Sequence, residues 1–552
     1  MLRGHSASWV LDWTRSHNPI YMRRTLAFAL VILALSTGQA IAQVSDDTLV
    51  PQGRLRLQFN PSFTAWDSRF GERAEGGALI SGKEALASDL TDDSGASLFP
   101  AVADLESHLR ALSGNATYSG VLGATSGRVS QDVTRIDLGV HVGVFDWLTV
   151  GVVVPLMKTH TSVDLAVRQN GVGSDLGISP MVAEADGVQR FLDALSSAHT
   201  SSLAQATTLC SADPTSGACS MAQSLASRVG SFSVSSAGAY SASAFFPIAG
   251  SPIAQSLTDV VATLDADLAG AGLSGIGAPI VFATELLSQQ SLVDAPAVGA
   301  FGINGSPLQG FNKLWGLGDV ELSALARVLE GQMGDSTSSA PRLSYSVAAG
   351  MLVRLGTGAV DEPDVFLDLG TGDGQMDIEA RVLGFLGFGG RMGVHLGVRY
   401  GVQQAYSLLK RVAPRDLVMT QASSLRAVRW SPASYIGIDL EPFWRLSPEL
   451  SALASYRLYS KGTDSYSIIG EDQAGSVPVD IADLERESGI TVHRAGLGLR
   501  YSTLEPWRAG LASRPMELHV RVISSIAGSG GHTPVATTVE FGVRLFRGIW
   551  GG

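Results

Sequence analysis

The chain has 552 residues, 45% hydrophobic and only 16% charged, with 63 glycines, 2 cysteines and a formal net charge of −12. No run of 18 apolar residues occurs in this sequence, so helical membrane spans are excluded despite a mean hydropathy of +0.20. The apolar residues are spread in short pieces, and an acidic chain of this kind is not expected to have a nucleic-acid partner.

Met22-Arg23-Arg24 leads into the apolar run Leu26 to Leu35, followed by Ala40-Ile41-Ala42 and Gln43. Charged, then apolar, then small is the order of a secretory signal peptide, and the run is half the length of a membrane span. Residues 1–42 are therefore expected to be a leader and signal peptide, with Met22 as the start and Gln43 near the mature N-terminus.

Beyond it the residues sort by parity. Leu55, Leu57, Phe59, Phe63 and Ala65 alternate with Arg54, Arg56, Gln58, Ser62 and Thr64. Ile136, Leu138, Val140, Val142 and Val144 alternate with Asp137, Gly139, His141 and Gly143. A turn at Phe145-Asp146-Trp147 then leads to Leu148, Val150, Val152 and Val154. Successive strand side chains point to opposite faces, so each segment places an apolar row against one medium and a polar row against another. Residues 43–163 form an expected first barrel part, three strands and a long loop.

The next stretch, 164–317, is rich in Ala, Ser and Gly and carries two stripes at helical spacing: Val188, Phe191, Leu192, Leu195 and Leu257, Val260, Val261, Leu264, Leu268. Such stripes bury against one another, which predicts a partly helical extracellular insertion. Cys210 and Cys219 lie within it. Export favours a disulfide between them, two free thiols being the alternative, and the spacing is not a zinc spacing. Gly270-Ala271-Gly272-Leu273-Ser274-Gly275 matches a dinucleotide fingerprint but follows a helix rather than a strand, so it is read as the helix end.

Residues 318–552 supply strands four to twelve. Their apolar rows begin at Val320, Leu343, Ile378, Met392, Ile436, Leu450, Ala495, Met516 and Val539. Period two alone also suits a soluble sandwich. The connections decide: those at 145–147, 330–341, 385–390, 445–449 and 503–514 are short, while those at 67–128, 164–317, 356–374, 404–433 and 460–489 are long. Short turns on one side and long loops on the other are the pattern of an antiparallel outer-membrane β-barrel, here of about twelve strands, with both termini periplasmic. Trp66, Trp147, Tyr400, Trp444, Tyr456, Tyr459, Trp507 and Trp550 fall near segment ends, where interfacial aromatics belong.

Parity assigns the lumen. His141, Asp377, Glu379, Arg381, Arg391, His395, Arg399, Asp439, Glu441, Arg494, Arg500, His519, Arg521 and Arg544 are expected to line it, together with Glu517 and Glu540. Charges of mixed sign across neighbouring strands should pair. Three inward histidines also admit a barrel hydrolase, but a polar lumen accounts for them without catalysis. The acidic runs Asp361 to Asp364 and Asp368 to Asp377 are read as ordinary polar turns rather than a calcium site, and no metal or cofactor is expected.

Gly316-Leu317-Gly318-Asp319-Val320-Glu321-Leu322, Val353-Arg354-Leu355-Gly356-Thr357-Gly358 and Leu369-Gly370-Thr371-Gly372-Asp373-Gly374-Gln375-Met376-Asp377 together resemble the outer-membrane proteins grouped as "MetA-pathway of phenol degradation". That resemblance covers about 316 to the end, with weaker echoes at 130–160. It implies a transporter of small organic or aromatic compounds. The expected function is thus an outer-membrane channel or transporter for small solutes, with outer-membrane lipid and the barrel assembly machinery as partners. The alternatives are a surface adhesion or structural barrel acting through the insertion, and an outer-membrane hydrolase.

Overall fold

The computed structural model describes residues 49–549 except 76–77, 91–94, 97, 169–173, 289, 292–309, 334–342, 364, 366, 414–416, 418, 421, 471–477 and 532. The expected signal peptide, Asp364 and Trp550 lie outside the described residues.

Twelve antiparallel strands make the barrel: β1 (Arg54–Trp66), β2 (Ala124–Phe145), β3 (Leu148–Arg168), β4 (Glu321–Met333), β5 (Leu343–Arg354), β6 (Asp377–Phe388), β7 (Met392–Gln403), β8 (Tyr435–Arg445), β9 (Leu450–Lys461), β10 (Ile490–Ser502), β11 (Met516–Ser529) and β12 (Thr537–Gly548). Each pairs with its sequence neighbours, and β12 pairs with β1, so the sheet closes on itself. Closure leaves no edge of unpaired backbone. The short connections, 146–147, 389–391, 446–449 and 503–515, lie at one end, with both described chain ends. The long ones, 67–123, 169–320, 355–376, 404–434 and 462–489, lie at the other.

Burial follows the predicted parity. In β7, Met392, Leu396, Val398, Tyr400 and Val402 are exposed, whereas Gly393, His395, Gly397, Arg399 and Gly401 are buried. A bulge between Arg327 and Leu329 interrupts the alternation in β4, so Val328 and Leu329 are both exposed. On the outer face of β3 the apolar row Leu148, Val150, Val152, Val154, Leu156 gives way to Lys158 and His160. That is nine residues of apolar height, within the roughly 9–11 that cross a bilayer. Strands β2 and β3, of 22 and 21 residues, run well beyond this band.

The inner face of that projecting hairpin carries Val129, Val133, Val163 and Leu165, and these belong to one large apolar core. Four helices complete it: α1 (Ala101–Ser113), α2 (Ala185–Ala212), α3 (Gly217–Ala242) and α4 (Pro252–Gly270). Helix α2 packs along α3, α3 against α1, and α1 against α4. The two predicted stripes therefore bury chiefly on α1 and α3 rather than on each other, and α1 comes from the first long loop. A disulfide between Cys210 and Cys219 joins α2 to α3. Gly270 ends α4 and Gly272 adopts a left-handed φ of 74°, so the glycine cluster is a helix end.

Among the girdle candidates, Trp147, Tyr400 and Trp444 are exposed near strand ends. Trp66 instead points inward, its Nε1 donating to Gln131 Oε1 at 3.0 Å. Tyr459 also faces inward, its ring 5.3 Å from that of Tyr435.

Val398 tests the assignment of faces. Val398→Arg puts a charge on the apolar outer band, costing about 2–4 kcal/mol of stability in lipid. Val398→Thr should fold like the wild type. Equal unfolding midpoints for wild type and Val398→Arg in phospholipid vesicles would place this face inside.

Candidate functional site: the barrel interior

From the long-loop end to the short-turn end, the interior has an apolar mouth, a belt of charge and a floor that is apolar except for Arg56, Arg544 and Glu517. The mouth is lined by Trp66, Val129, Val133, Met157 and Val163, with Leu367 and Leu369 of loop 355–376 packed against them. Leu367, held at φ 50°, accepts hydrogen bonds at its carbonyl from Gln131 Nε2 (2.9 Å) and Thr161 Oγ1 (3.2 Å).

Below it the inward charges pair, some within a strand or across one ladder step and two across intervening strands. Arg457 on β9 donates to both oxygens of Glu540 on β12, at 3.0 and 3.3 Å. Arg521 on β11 reaches Glu441 on β8 at 2.8 Å and Glu540 at 3.8 Å. Asp439 lies between Arg399 (3.7 Å) and Arg457 (3.6 Å). Arg544 pairs with Glu517 (3.3 Å), and Arg381 with Glu379, which also accepts from the Tyr435 hydroxyl at 2.7 Å. An outer tier links Arg354 to Asp377 (2.7 Å) and Glu321 (3.5 Å), and Arg135 to Glu321 (3.3 Å) and Asp137 (2.5 Å). A buried carboxylate is tolerable when a cation offsets it, and the belt gives each an arginine: Glu540 is hydrogen-bonded at both oxygens, while Asp439 has ion pairs alone.

Inward glycines make room for these side chains. The ring of His519 fills the place of a Cβ at Gly542, that of His141 the place at Gly151, and the Arg399 side chain the place at Gly437. His395 accepts from Arg500 Nη2 at 3.1 Å and lies between Phe385 and Phe443, ring centroids 5.2 and 5.1 Å away. Those aromatics begin the apolar floor, continued by Leu383, Leu453 and a rim cluster of Val50, Leu504 and Phe546. A cavity of about 10 Å³, the size of one water, adjoins Asp439, Glu441, Ser455 and Arg457.

One predicted lumen residue is elsewhere. Arg391 is exposed in the short turn 389–391, because Gly389 and Gly390 take left-handed φ values there and the chain has left the ladder. Five belt residues, Arg135, Asp137, Glu321, Arg354 and Arg457, were absent from the predicted set, although strand parity points all of them inward.

The three glycine motifs converge on a break in the wall. Before β4, short pieces at Phe311–Asn312 and Gly316–Leu317 pair with β3, so these ladder partners fall inside the predicted insertion. Between the pieces and β4, loop 355–376 replaces the missing partners. Thr357 Oγ1 donates to Gly318 O (2.8 Å) and accepts from Val320 N (3.0 Å); Gly358 N donates to Asp319 Oδ1 (2.8 Å); Thr371 Oγ1 donates to Leu317 O (2.7 Å). A Cβ on Gly372 would lie 2.5 Å from Asp319 Oδ1, and one on Gly358 would lie 2.6 Å from the Gly372 backbone. The acidic runs are engaged as well: Asp368 pairs with Lys313 (2.6 Å) and Asp361 with Lys410 (3.4 Å).

Comparison with solved structures returns barrels. An outer-membrane channel from Pseudomonas putida F1 aligns at 9% identity and TM-score 0.40, covering 92% of this chain and 100% of that one. The translocator domain of autotransporter NalP from Neisseria meningitidis aligns at 9% identity and TM-score 0.24, covering 96% and 95%. The Ralstonia pickettii toluene transporter TbuX aligns at 8% identity and TM-score 0.22, covering 90% and 89%. No protein-family model matches the sequence, and no curated protein matches it. The fold is a closed antiparallel barrel of twelve strands with an apolar outer face.

Two predictions follow the geometry. Arg457→Met leaves Glu540 facing Arg521 alone and Asp439 facing Arg399 alone, an expected loss of about 3–5 kcal/mol by urea unfolding in vesicles. Pairing it with Glu540→Gln should recover part of the loss; wild-type stability in the single variant would mean that the belt is solvated.

The second concerns Asp373, whose carboxyl is pushed up to about 6 by burial and by Asp377 and Asp319, against the opposing hydrogen bond from Gln375 N and the charge of Arg354. A raised carboxyl favours the folded loop while protonated. Attachment is then strongest below the free-chain value of about 4 and weakens as pH rises through about 6. Hydrogen-exchange protection of residues 356–374, corrected for intrinsic rates, should fall between pH 5 and 7.5. The same fall in Asp373→Asn would assign it to another group.

Proposed function

We propose that the chain is an outer-membrane transporter for small apolar solutes, aromatic compounds among them, and that it belongs to the phenol-degradation group its motifs resemble. The observation that carries this reading is the mouth. Wall positions that a hydrophilic pore would line with charge are Trp66, Val129, Val133, Met157 and Val163. An apolar solute gains by leaving water there, and a sugar or inorganic ion does not.

The charged belt argues in the same direction. Paired arginines and carboxylates fill the middle of the barrel, so a general diffusion pore is disfavoured and passage requires side chains to move. In this reading the short turns and both described ends face the periplasm, and the helical body lies outside the cell, inserted by the barrel assembly machinery. A surface barrel acting through its helical body is the second reading, favoured by the filled interior. Against it, the body shares its core with the inner face of β2 and β3, as a lid on the mouth would.

Uptake by proteoliposomes separates the two. Toluene should enter protein-containing vesicles well above protein-free controls, while glucose entry stays at the control level. Equal entry of the two would indicate an open polar pore, and no entry of either would favour the surface barrel.

A further inference from the structure

Arg494 departs from the rest of the belt. It lies on the inner face of β10, 7% exposed, and among the described residues its side chain makes no hydrogen bond or ion pair. Directly across the ladder stands another cation, Arg457, whose guanidinium is already engaged by Glu540 and Asp439. The partner on the other side is Ser525. Glu540, the belt carboxylate for which Arg457 and Arg521 compete, has both oxygens occupied. Arginine does not shed its proton, so burial leaves a full positive charge that faces Glu540 only at longer range, with no acid in direct contact among the described residues.

The surroundings narrow what could supply one. One step toward the mouth, the inner faces of β9 and β10 present Tyr459 and Val492, partners in the ladder, the latter 3% exposed. A cation floor beneath an aromatic and aliphatic layer suits a ligand with a carboxylate at one end and an apolar body behind it. A carboxylate also matches the guanidinium fork with two parallel hydrogen bonds. Phosphate and chloride would meet the same cation, but they bring nothing to bury against Tyr459 and Val492.

We infer that Arg494, on the inner wall beneath Tyr459 and Val492, is a docking point for the carboxylate of small apolar acids inside the lumen. This deepens the transport reading and rests on it for the route by which the acid arrives. Binding itself can be measured without transport.

The probes are benzoate and its uncharged counterpart benzamide, with the full-length barrel in detergent at pH 7.5. A charge-assisted contact predicts that the wild type holds benzoate about tenfold tighter than benzamide. In Arg494→Gln the ratio should fall toward one, and in Arg494→Lys, which keeps the charge, most of the preference should remain. Equal affinity of the wild type for the two probes, or an unchanged ratio in Arg494→Gln, overturns the inference. If Arg494→Gln does not fold, the wild-type ratio decides alone. Vesicles that take up benzamide and benzoate equally refute the carboxylate site and leave the transport reading standing. A benzoate preference in detergent with no uptake of either probe refutes transport and leaves the site.

Discussion

Hydrocarbon offers a peptide group no hydrogen bond, so a strand that crosses it must find every partner within the protein. Closure of the sheet is the arrangement that meets this demand here, with β12 returning to β1 and β3 meeting β4 across a gap of some 150 residues of sequence. The ladder between β3 and the chain before β4 is the place where regular pairing fails. Side-chain hydroxyls of Thr357 and Thr371 and the carboxylate of Asp319 then take over the work of missing strand neighbours. The glycines around them are needed because backbone meets backbone there, with no space for a Cβ.

Closure has a second consequence, since it turns one face of each strand into a confined interior. A barrel of about this size has an interior that side chains can nearly fill. The sequence fills it with arginine and carboxylate rather than with aliphatic groups; most arginines meet an acid on their own or the adjacent strand, and Arg457 and Arg521 also reach across two intervening strands, to Glu540 and Glu441. Such pairs contribute little net stability against a well-packed apolar core, while losing one partner is costly. The belt therefore fixes which strands face one another across the lumen more than it stabilises the fold.

Strand number, parity and the side carrying the long loops were legible in the sequence, because a two-residue period and connection length are local properties. Thirteen of the fourteen predicted lumen residues point inward for the same reason, and Arg391 fails because a glycine pair ends its strand one residue early. Pairing was not legible. Nothing local joins Arg457 to Glu540, which lie 83 residues apart, or Gly358 to Asp319, 39 apart. The role of α1 was hidden likewise: its apolar residues Val102, Leu105, Leu109 and Leu112 sit in a loop between two strands, and only tertiary contact assigns them to the helical body.

The order of layers then bears on how a solute would move. An apolar molecule entering the mouth displaces loop 355–376 contacts such as those of Leu367 and Leu369 before it meets any charge. That loop is held by a handful of hydrogen bonds and by two ion pairs with partly exposed lysines, Asp368–Lys313 and Asp361–Lys410, whereas the belt is a network of buried ion pairs. The loop clasp is the weaker of the two barriers, because neutral hydrogen bonds and partly exposed ion pairs contribute about 1 kcal/mol each and breaking a buried ion pair costs several. Rearrangement of the belt is accordingly the step that would limit passage, and charge on the solute would matter there and not at the mouth.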